Sequence, residues 1–208
     1  MKLNTYFLES EKLKFSKKQV SEISDVIEEH ATIAGNIFGL KLLNFTVYPT
    51  KKVIRETGES GFTESSDFIR LGIDPDRTDK SVKNVVPSTI YHEICHAARQ
   101  RKLDFSRTLL DAVISEGLAT AFEEKMFPRF VAPWGIYSKL EIDKLLKIFD
   151  GHRTDRSYNY FEWFQGMGKL PRWLGYKVGA YLIRTIKNPD FAKLTIMPSD
   201  KVYSLVNR

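Results

Sequence analysis

The segment His92-Glu93-Ile94-Cys95-His96 places the strictest limit on what this chain can fold into. Residues four apart on an α-helix lie above one another on one face, so His92 and His96 can present two imidazoles to a single ion. Glu93 is rotated from His92 by about 100°, which puts its carboxylate beside such an ion and not on it. The segment predicts a helix that carries half of a metal site, with Glu93 as a general base.

Glu116 is the candidate for a third ligand. A zinc ion in a catalytic site takes three protein ligands and keeps a fourth position for water. Glu116 lies twenty residues after His96, in the apolar run of residues 113–119. An ionised carboxylate on an apolar face is unfavourable by several kcal/mol unless a cation pairs with it. We therefore expect one zinc ion per chain, bound by His92, His96 and Glu116.

Secondary-structure patterns divide the chain into an early mixed part and a late helical part. Residues 17–38 have apolar positions at helical spacing, and Ser16 is a suitable N-cap. Residues 42–48 and 68–73 have the composition of strands, whereas the glycine- and hydroxyl-rich residues 56–66 indicate a loop. Strands early and helices late predict an α+β fold.

Two long helices are expected to carry the chemistry, at residues 88–101 and 108–127. The loop at residues 102–107 is long enough to reverse the chain and bring Glu116 back to the histidine pair. Shorter helical patterns follow at residues 138–149, 173–186 and 199–206.

Composition favours one folded domain. The chain has 208 residues, of which 42% are hydrophobic and 28% are charged. These values are ordinary for a globular protein, and the length favours one domain, residues 1–208, over two. The net charge of +6 comes from short, scattered basic clusters without a recognised nucleic-acid motif, so a solvated basic surface is favoured and a nucleic-acid partner is the minor alternative.

No feature of the sequence indicates export or membrane insertion. Charged residues interrupt the first eighteen positions, and no later stretch reaches the roughly 18 apolar residues of a transmembrane helix. A single cysteine, Cys95, cannot form an internal disulfide, which suits a reducing compartment. We expect a cytoplasmic protein with no membrane partner, and the sequence does not indicate an oligomeric state.

Cys95 also allows a second interpretation of the metal site. It follows His92 by three residues, and a thiolate ligand there would make a closed structural site in place of a catalytic one. A thiol buried beneath the helix is the commoner fate of a lone cysteine.

The motif resembles the gluzincin branch of the zincin metallopeptidases, because the step from His96 to Glu116 is similar to thermolysin-type spacing. The closer resemblance is to the family described as domain of unknown function 2268, predicted Zn-dependent proteases. Its members similarly join HExxH to a helix with an SEGLA stretch and later to a glycine-tyrosine helix, here residues 115–119 and Gly175-Tyr176. The resemblance implies a zincin-like fold, with a small early β-sheet packed on a largely helical body, and hydrolysis of a peptide or protein substrate.

The chain departs from thermolysin-like enzymes at Thr120, where those enzymes place an aspartate that orients a histidine. The groups that orient the ligands must therefore differ, and Asp111 and Glu123 are the candidates. A donor to the developing oxyanion is also required, and Tyr176 is the first candidate and His152 the second.

Two further expectations concern substrate and function. The strand at residues 68–73 is a candidate edge to which an extended peptide adds by main-chain hydrogen bonds. The alternative to a peptidase is a catalytically silent, metal-stabilised binding or regulatory domain. Glu93 favours catalysis, since a pure binding site has no use for a carboxylate beside an open metal position.

Overall fold

The computed structural model describes residues 1–103 and 108–207. Over these residues the protein has the mixed α+β structure that the sequence predicted, and it contains one four-stranded sheet and eight α-helices. It forms two compact units, Met1–Arg101 with Glu123–Phe130, and Lys102–Phe122 with Val131–Arg208. Among the helices in this described part, none is both long enough and apolar enough to cross a membrane.

The strands are β1 (Lys2–Phe7), β2 (Leu42–Pro49), β3 (Glu59–Ser65) and β4 (Phe68–Ile73). The helices are α1 (Lys17–Ile37), α2 (Thr78–Ser81), α3 (Val86–Gln100), α4 (Leu109–Met126), α5 (Lys139–His152), α6 (Leu174–Arg184), α7 (Phe191–Thr195) and α8 (Ser199–Ser204).

Helix α1 begins where its sequence predicts. The Ser16 side chain accepts a hydrogen bond from the Gln19 backbone N–H, and the Gln19 side chain accepts one from the Ser16 N–H, which together form a capping box. The apolar face of α1, with Ile23 and Ile27 fully buried, packs in the first unit beside α3.

The sheet has the strand order β1-β2-β4-β3, in which β3 alone runs antiparallel to its neighbour. Strands β2 and β4 match the two predicted strands. On β2, buried residues alternate with more exposed ones. Strand β4 lies between β2 and β3, so the expectation that residues 68–73 form an edge is wrong. The edges are β1 and β3.

Residues 56–66 are not the loop that their composition indicated, since Glu59–Ser65 form strand β3. Glycine and glutamate, which supply three of the seven residues of β3, have low strand propensity, and here the pairing with β4 overrides it. Strand β1 was also missed, because the apolar residues of Lys2–Phe7 do not alternate with polar ones and none of the six residues is buried. Both errors fall on the edges of the sheet, where burial gives the weakest sequence signal.

Helix α3 occupies the centre of the first unit. Pro87 lies in its first turn, where a missing N–H does no harm, and most of the following residues are buried. The helix packs against α1 on one side and against β3 on another. The residues of the HExxH segment therefore lie on a helix that is anchored along most of its surface.

The second unit is helical. Its core is built from large apolar side chains that are almost fully buried, contributed by several helices: Val113, Phe122, Phe149, Leu174, Val178 and Leu182. Helices α4, α5, α6 and α8 agree with the predicted helical segments to within a few residues. Helix α7 was not predicted.

Candidate metal centre

The two histidines of α3 face each other through equivalent atoms. Nε2 of His92 and Nε2 of His96 lie 3.1 Å apart. Two imidazole nitrogens that share a tetrahedral zinc ion lie about 3.3 Å apart, because each Zn–N bond is about 2.0–2.1 Å. The imidazole pair thus has nearly the spacing that a common zinc ion requires.

A buried carboxylate lies behind His92. Oε2 of Glu123 is 3.3 Å from Nδ1 of His92, and it accepts a hydrogen bond from the Ser88 hydroxyl at 3.2 Å. Glu123 is only 1% exposed. A carboxylate at Nδ1 favours the tautomer that leaves Nε2 unprotonated, which is the form that ligates a metal.

Glu116 completes a set of three candidate ligands. His92, His96 and Glu116 each offer one ligand atom, and these atoms all lie within 4.8 Å of one another. Helix α4 carries Glu116 in the second unit and continues unbroken through Glu123, which belongs to the first. The three side chains could hold a metal ion, and Cys95, 1% exposed, is not among them.

Two tyrosines accompany Glu116 in the second unit. The Tyr160 hydroxyl donates to Oε1 of Glu116 at 2.9 Å and lies 3.4 Å from the Tyr176 hydroxyl. Burial and the neighbouring Glu116 carboxylate raise the pKa of Tyr160 well above its usual range, so the hydroxyl keeps its proton and acts as a donor. Tyr160 stacks on Phe164 in the π-helical turn Phe161–Gln165. Such turns are frequent at functional sites.

The helices that carry Glu116 and Tyr176 touch through glycine. A Cβ built on Gly117 would lie 2.4 Å from the carbonyl carbon of Gly179, and one built on Gly179 would lie 2.3 Å from the carbonyl oxygen of Val113. Both obstacles are backbone atoms. The close approach of α4 and α6 therefore depends on two missing side chains, each within three residues of a candidate site residue.

The Glu93 side chain is held from the edge strand β3. The Thr63 hydroxyl lies 2.6 Å from Oε2 of Glu93 and 2.8 Å from the Glu93 main-chain oxygen. Both residues are 7% exposed. Because a buried carboxylate without hydrogen bonds is strongly disfavoured, this contact accounts for how Glu93 is tolerated next to the histidines.

Glu59 is a third buried glutamate of the first unit, after Glu123 and Glu93. Burial raises the pKa of Glu59 to about 7, an effect opposed by the polar side chains of Thr89 and Thr57 and reinforced by the charges of Glu123 and Glu93. Like charges gathered in a buried region repel one another, and a divalent cation relieves this repulsion. The electrostatics around the histidines thus suit a metal ion.

The remaining sequence candidates have other surroundings. His152 ends α5 as an exposed residue with its ring 5.8 Å from that of Trp163. Asp111 accepts hydrogen bonds from Thr108 at the start of α4. Thr120 is fully buried. The reversing loop, residues 102–107, lies partly outside the described residues.

Sequence reasoning overlooked three polar residues of this region, namely Thr63, Glu59 and Tyr160. The first two lie in the segment that was taken for a loop. Tyr160 lies in the aromatic run of residues 158–164, where composition does not separate one tyrosine from its neighbours. Glu123 was one of two candidates, and the structure places it against His92.

These features define a candidate divalent-metal centre in which the Glu123 carboxylate lies beside one of the three candidate ligands, His92. The chain matches the profile of the family described as Predicted Zn-dependent protease, domain of unknown function 2268, over residues 14–203, and it belongs to this family. The resemblance carried by residues 92–96 and 115–119 is confirmed at the level of the family. No curated protein and no solved structure matches the chain significantly.

Proposed function

We propose that this protein is a zinc-dependent metallopeptidase with a zincin-like fold, that residues 1–208 form one functional domain, and that peptides or proteins are its substrates. The observation that carries the proposal is the convergence of His92, His96 and Glu116, whose ligand atoms lie within 4.8 Å of one another. Family membership supports the same metal and the same class of reaction.

One zinc ion per chain would be held by Nε2 of each histidine and by a Glu116 oxygen. Two nitrogens and a carboxylate are a donor set that zinc accepts, and three protein ligands leave a position open. When bound, zinc supplies Lewis-acid polarisation of the scissile carbonyl and lowers the pKa of water. The Tyr160 hydroxyl, which donates to Oε1 of Glu116, fixes the orientation of that carboxylate.

Glu93 is the proposed general base. Its carboxylate is one residue along α3 from His92, so it is close to the ligands without belonging to them. In the reaction Glu93 accepts a proton from the attacking water, and it then donates that proton to the amine nitrogen as the peptide bond breaks. The buried setting keeps competing bulk water away from the carboxylate.

Tyr176 is the proposed oxyanion stabiliser. Its hydroxyl lies 3.4 Å from that of Tyr160, which in turn contacts Glu116, so it belongs to the same group of hydroxyls. A neutral phenol is a suitable donor to a developing negative charge. We also propose a cytoplasmic location, because the single Cys95 is compatible with a reducing environment.

The proposal is tested by comparing Glu93→Gln with the wild type for two quantities, zinc content and cleavage of a mixed library of fluorogenic peptides. We expect about one zinc ion in both proteins and a rate at least about 100-fold lower in the variant, because general-base catalysis contributes about 10²–10⁴. His96→Ala and Glu116→Ala are the matched variants, and each should lose most of its zinc.

The outcomes separate the competing interpretations. A Glu93→Gln protein that cleaves at the wild-type rate would remove Glu93 from the mechanism. A wild-type protein that binds zinc but cleaves no member of the library would favour a silent, metal-stabilised binding domain. Full zinc content in Glu116→Ala would exclude the proposed ligand set.

A further inference from the structure

The inward face of strand β3 is built around the Glu93 side chain. Side chains alternate along a strand, so Glu59, Gly61 and Thr63 share one face. Strand β3 packs on α3, and two of these three positions meet Glu93 directly. Strand β3, one edge of the sheet, therefore contacts the proposed base.

Gly61 provides the space that Glu93 occupies. A Cβ at Gly61 would lie 2.6 Å from Oε1 of Glu93, 2.7 Å from its Cγ and 2.7 Å from Cγ2 of Thr89. Real side chains do not approach so closely, so any larger residue would displace the Glu93 side chain. The bare backbone at position 61 thus allows Glu93 to lie flat against the strand.

Thr63 provides the polar contact. Its hydroxyl has a single proton and faces two acceptors, Oε2 of Glu93 at 2.6 Å and the Glu93 main-chain oxygen at 2.8 Å. The shorter contact goes to the side chain, which is also the stronger acceptor when ionised. A buried β-branched residue on a strand has few rotamers, so the hydroxyl is held in place.

We propose that Thr63 is a positioning residue for Glu93, holding Oε2 through a hydrogen bond so that Oε1 is the oxygen that takes and returns the proton. This inference rests on the proposed function, since it assigns a role relative to Glu93 as base. Oε2 accepts the Thr63 proton whether Glu93 is ionised or protonated on Oε1. The same hydrogen bond therefore persists through both proton transfers, and Thr63 itself neither gains nor loses a proton.

The test compares Thr63→Val with Thr63→Ser. Valine keeps the shape of threonine and removes the hydroxyl, whereas serine keeps the hydroxyl. We expect kcat to fall about 10- to 100-fold in Thr63→Val, the loss expected for one hydrogen bond to a charged group, with KM and zinc content unchanged. Thr63→Ser should recover kcat to within about threefold of wild type.

Two further variants keep the inference falsifiable if Thr63→Val does not fold. Gly61→Ala should lower kcat in the same way, because its new methyl group displaces Glu93. Thr46→Val is the control: Thr46 lies on β2 of the same sheet, partly exposed and between the buried Phe45 and Val47, and its loss should leave kcat unchanged.

A readout that does not depend on turnover is available from NMR spectra of the chelator-treated protein. A hydroxyl proton held by a buried carboxylate exchanges slowly, so a Thr63 hydroxyl resonance, assigned by its absence from Thr63→Val, should be visible in the wild type. It should shift or broaden in Glu93→Gln, which removes the carboxylate charge, and stay unchanged in Glu64→Gln; an unchanged resonance in Glu93→Gln would place the proton on the Glu93 main-chain oxygen and overturn the inference.

The outcomes distinguish this inference from the proposed function. If Glu93→Gln is inactive while Thr63→Val and Gly61→Ala match the wild type, the positioning role is wrong and the peptidase assignment stands. If Glu93→Gln keeps full activity, the proposed function itself fails. A loss of kcat in Thr63→Val that serine does not restore would point to packing alone and would overturn the role of the hydroxyl.

Discussion

Glu123 contacts a proposed zinc ligand, His92, from helix α4. Thermolysin-like enzymes orient a histidine ligand with an aspartate one turn after the glutamate ligand, and this chain has Thr120 there. Glu123 lies seven residues, or about two turns, after Glu116 and so on the same face of α4. Its longer side chain reaches Nδ1 of His92 at 3.3 Å.

Removal of the Glu123 carboxylate should weaken zinc binding without abolishing it. Loss of a group that hydrogen-bonds or pairs with a metal-ligating histidine typically lowers metal affinity by about 10- to 100-fold. We expect Glu123→Ala to fall in this range when zinc is titrated against a chelator of known affinity. Glu124→Ala is the control, because residue 124 is rotated about 100° away on the helix and should bind zinc like the wild type. Wild-type affinity in Glu123→Ala would contradict the role.

At the scale of elements, the contact between α4 and α6 leaves no room for a side chain at Gly117 or Gly179. Gly117 and Gly179 let the two backbones meet, and neither obstacle can move as a side chain would. Glu116 precedes one glycine, and Tyr176 is one turn before the other. A displacement of either helix would therefore move a candidate site residue together with the core.

Gly179→Ala should destabilise the protein, although alanine is the better helix former. In an unobstructed helix the change would stabilise by about 0.5–1 kcal/mol. Here overpacking against Val113 and Gly117 should outweigh this gain and leave a net loss of about 1–3 kcal/mol in the free energy of unfolding. Gly151→Ala is the control, since a Cβ on that residue of α5 meets nothing within 4 Å and should stabilise. Equal stabilisation by both changes, measured in urea, would refute the argument.

The elements also show what the sequence could predict. Helices α1, α3 and α4 were predictable because their apolar periodicity, caps and length agree with one another. Strand β3 was not predictable from the sequence. Gly61 and Thr63 contact Glu93 on helix α3, and a sequence pattern does not contain contacts between elements that are distant along the chain. The same holds for Tyr160, whose significance arises only from its contact with Glu116.

The proposed ligand residues, in contrast, could be recognised from the sequence. His92, Glu93 and His96 are related by helical geometry alone, so their spacing predicted their juxtaposition. Glu116 was recognisable because a carboxylate in an apolar helical run needs a partner. Local rules thus found the groups proposed to do the chemistry, while the groups that hold them in place required the tertiary structure.

At the scale of the whole molecule, the burial of carboxylates makes the free energy of unfolding depend on pH. Glu59 is the clearest contributor, because it is 2% exposed and its pKa rises from 4.5 to about 7 on folding. Below the lower value it is protonated in both the folded and the unfolded chain. Between the two values only the unfolded chain ionises, so stability falls as pH rises, and above about 7 the loss is complete.

Glu59→Gln should therefore change stability in a pH-dependent way. Glutamine stays neutral, so the variant should gain on the wild type as pH rises from about 4.5 to 7, reaching an advantage of about 3 kcal/mol at about 1.4 kcal/mol for each pKa unit. The measurement is urea unfolding of both proteins at several pH values with a chelator present, because a bound cation would favour the ionised form. A difference between the two proteins that is the same at about pH 4 and about pH 8 would show that Glu59 titrates alike in the folded and unfolded chains. A growing advantage would show that folding raises the pKa of Glu59, chiefly through burial and in smaller part through the charges of Glu123 and Glu93.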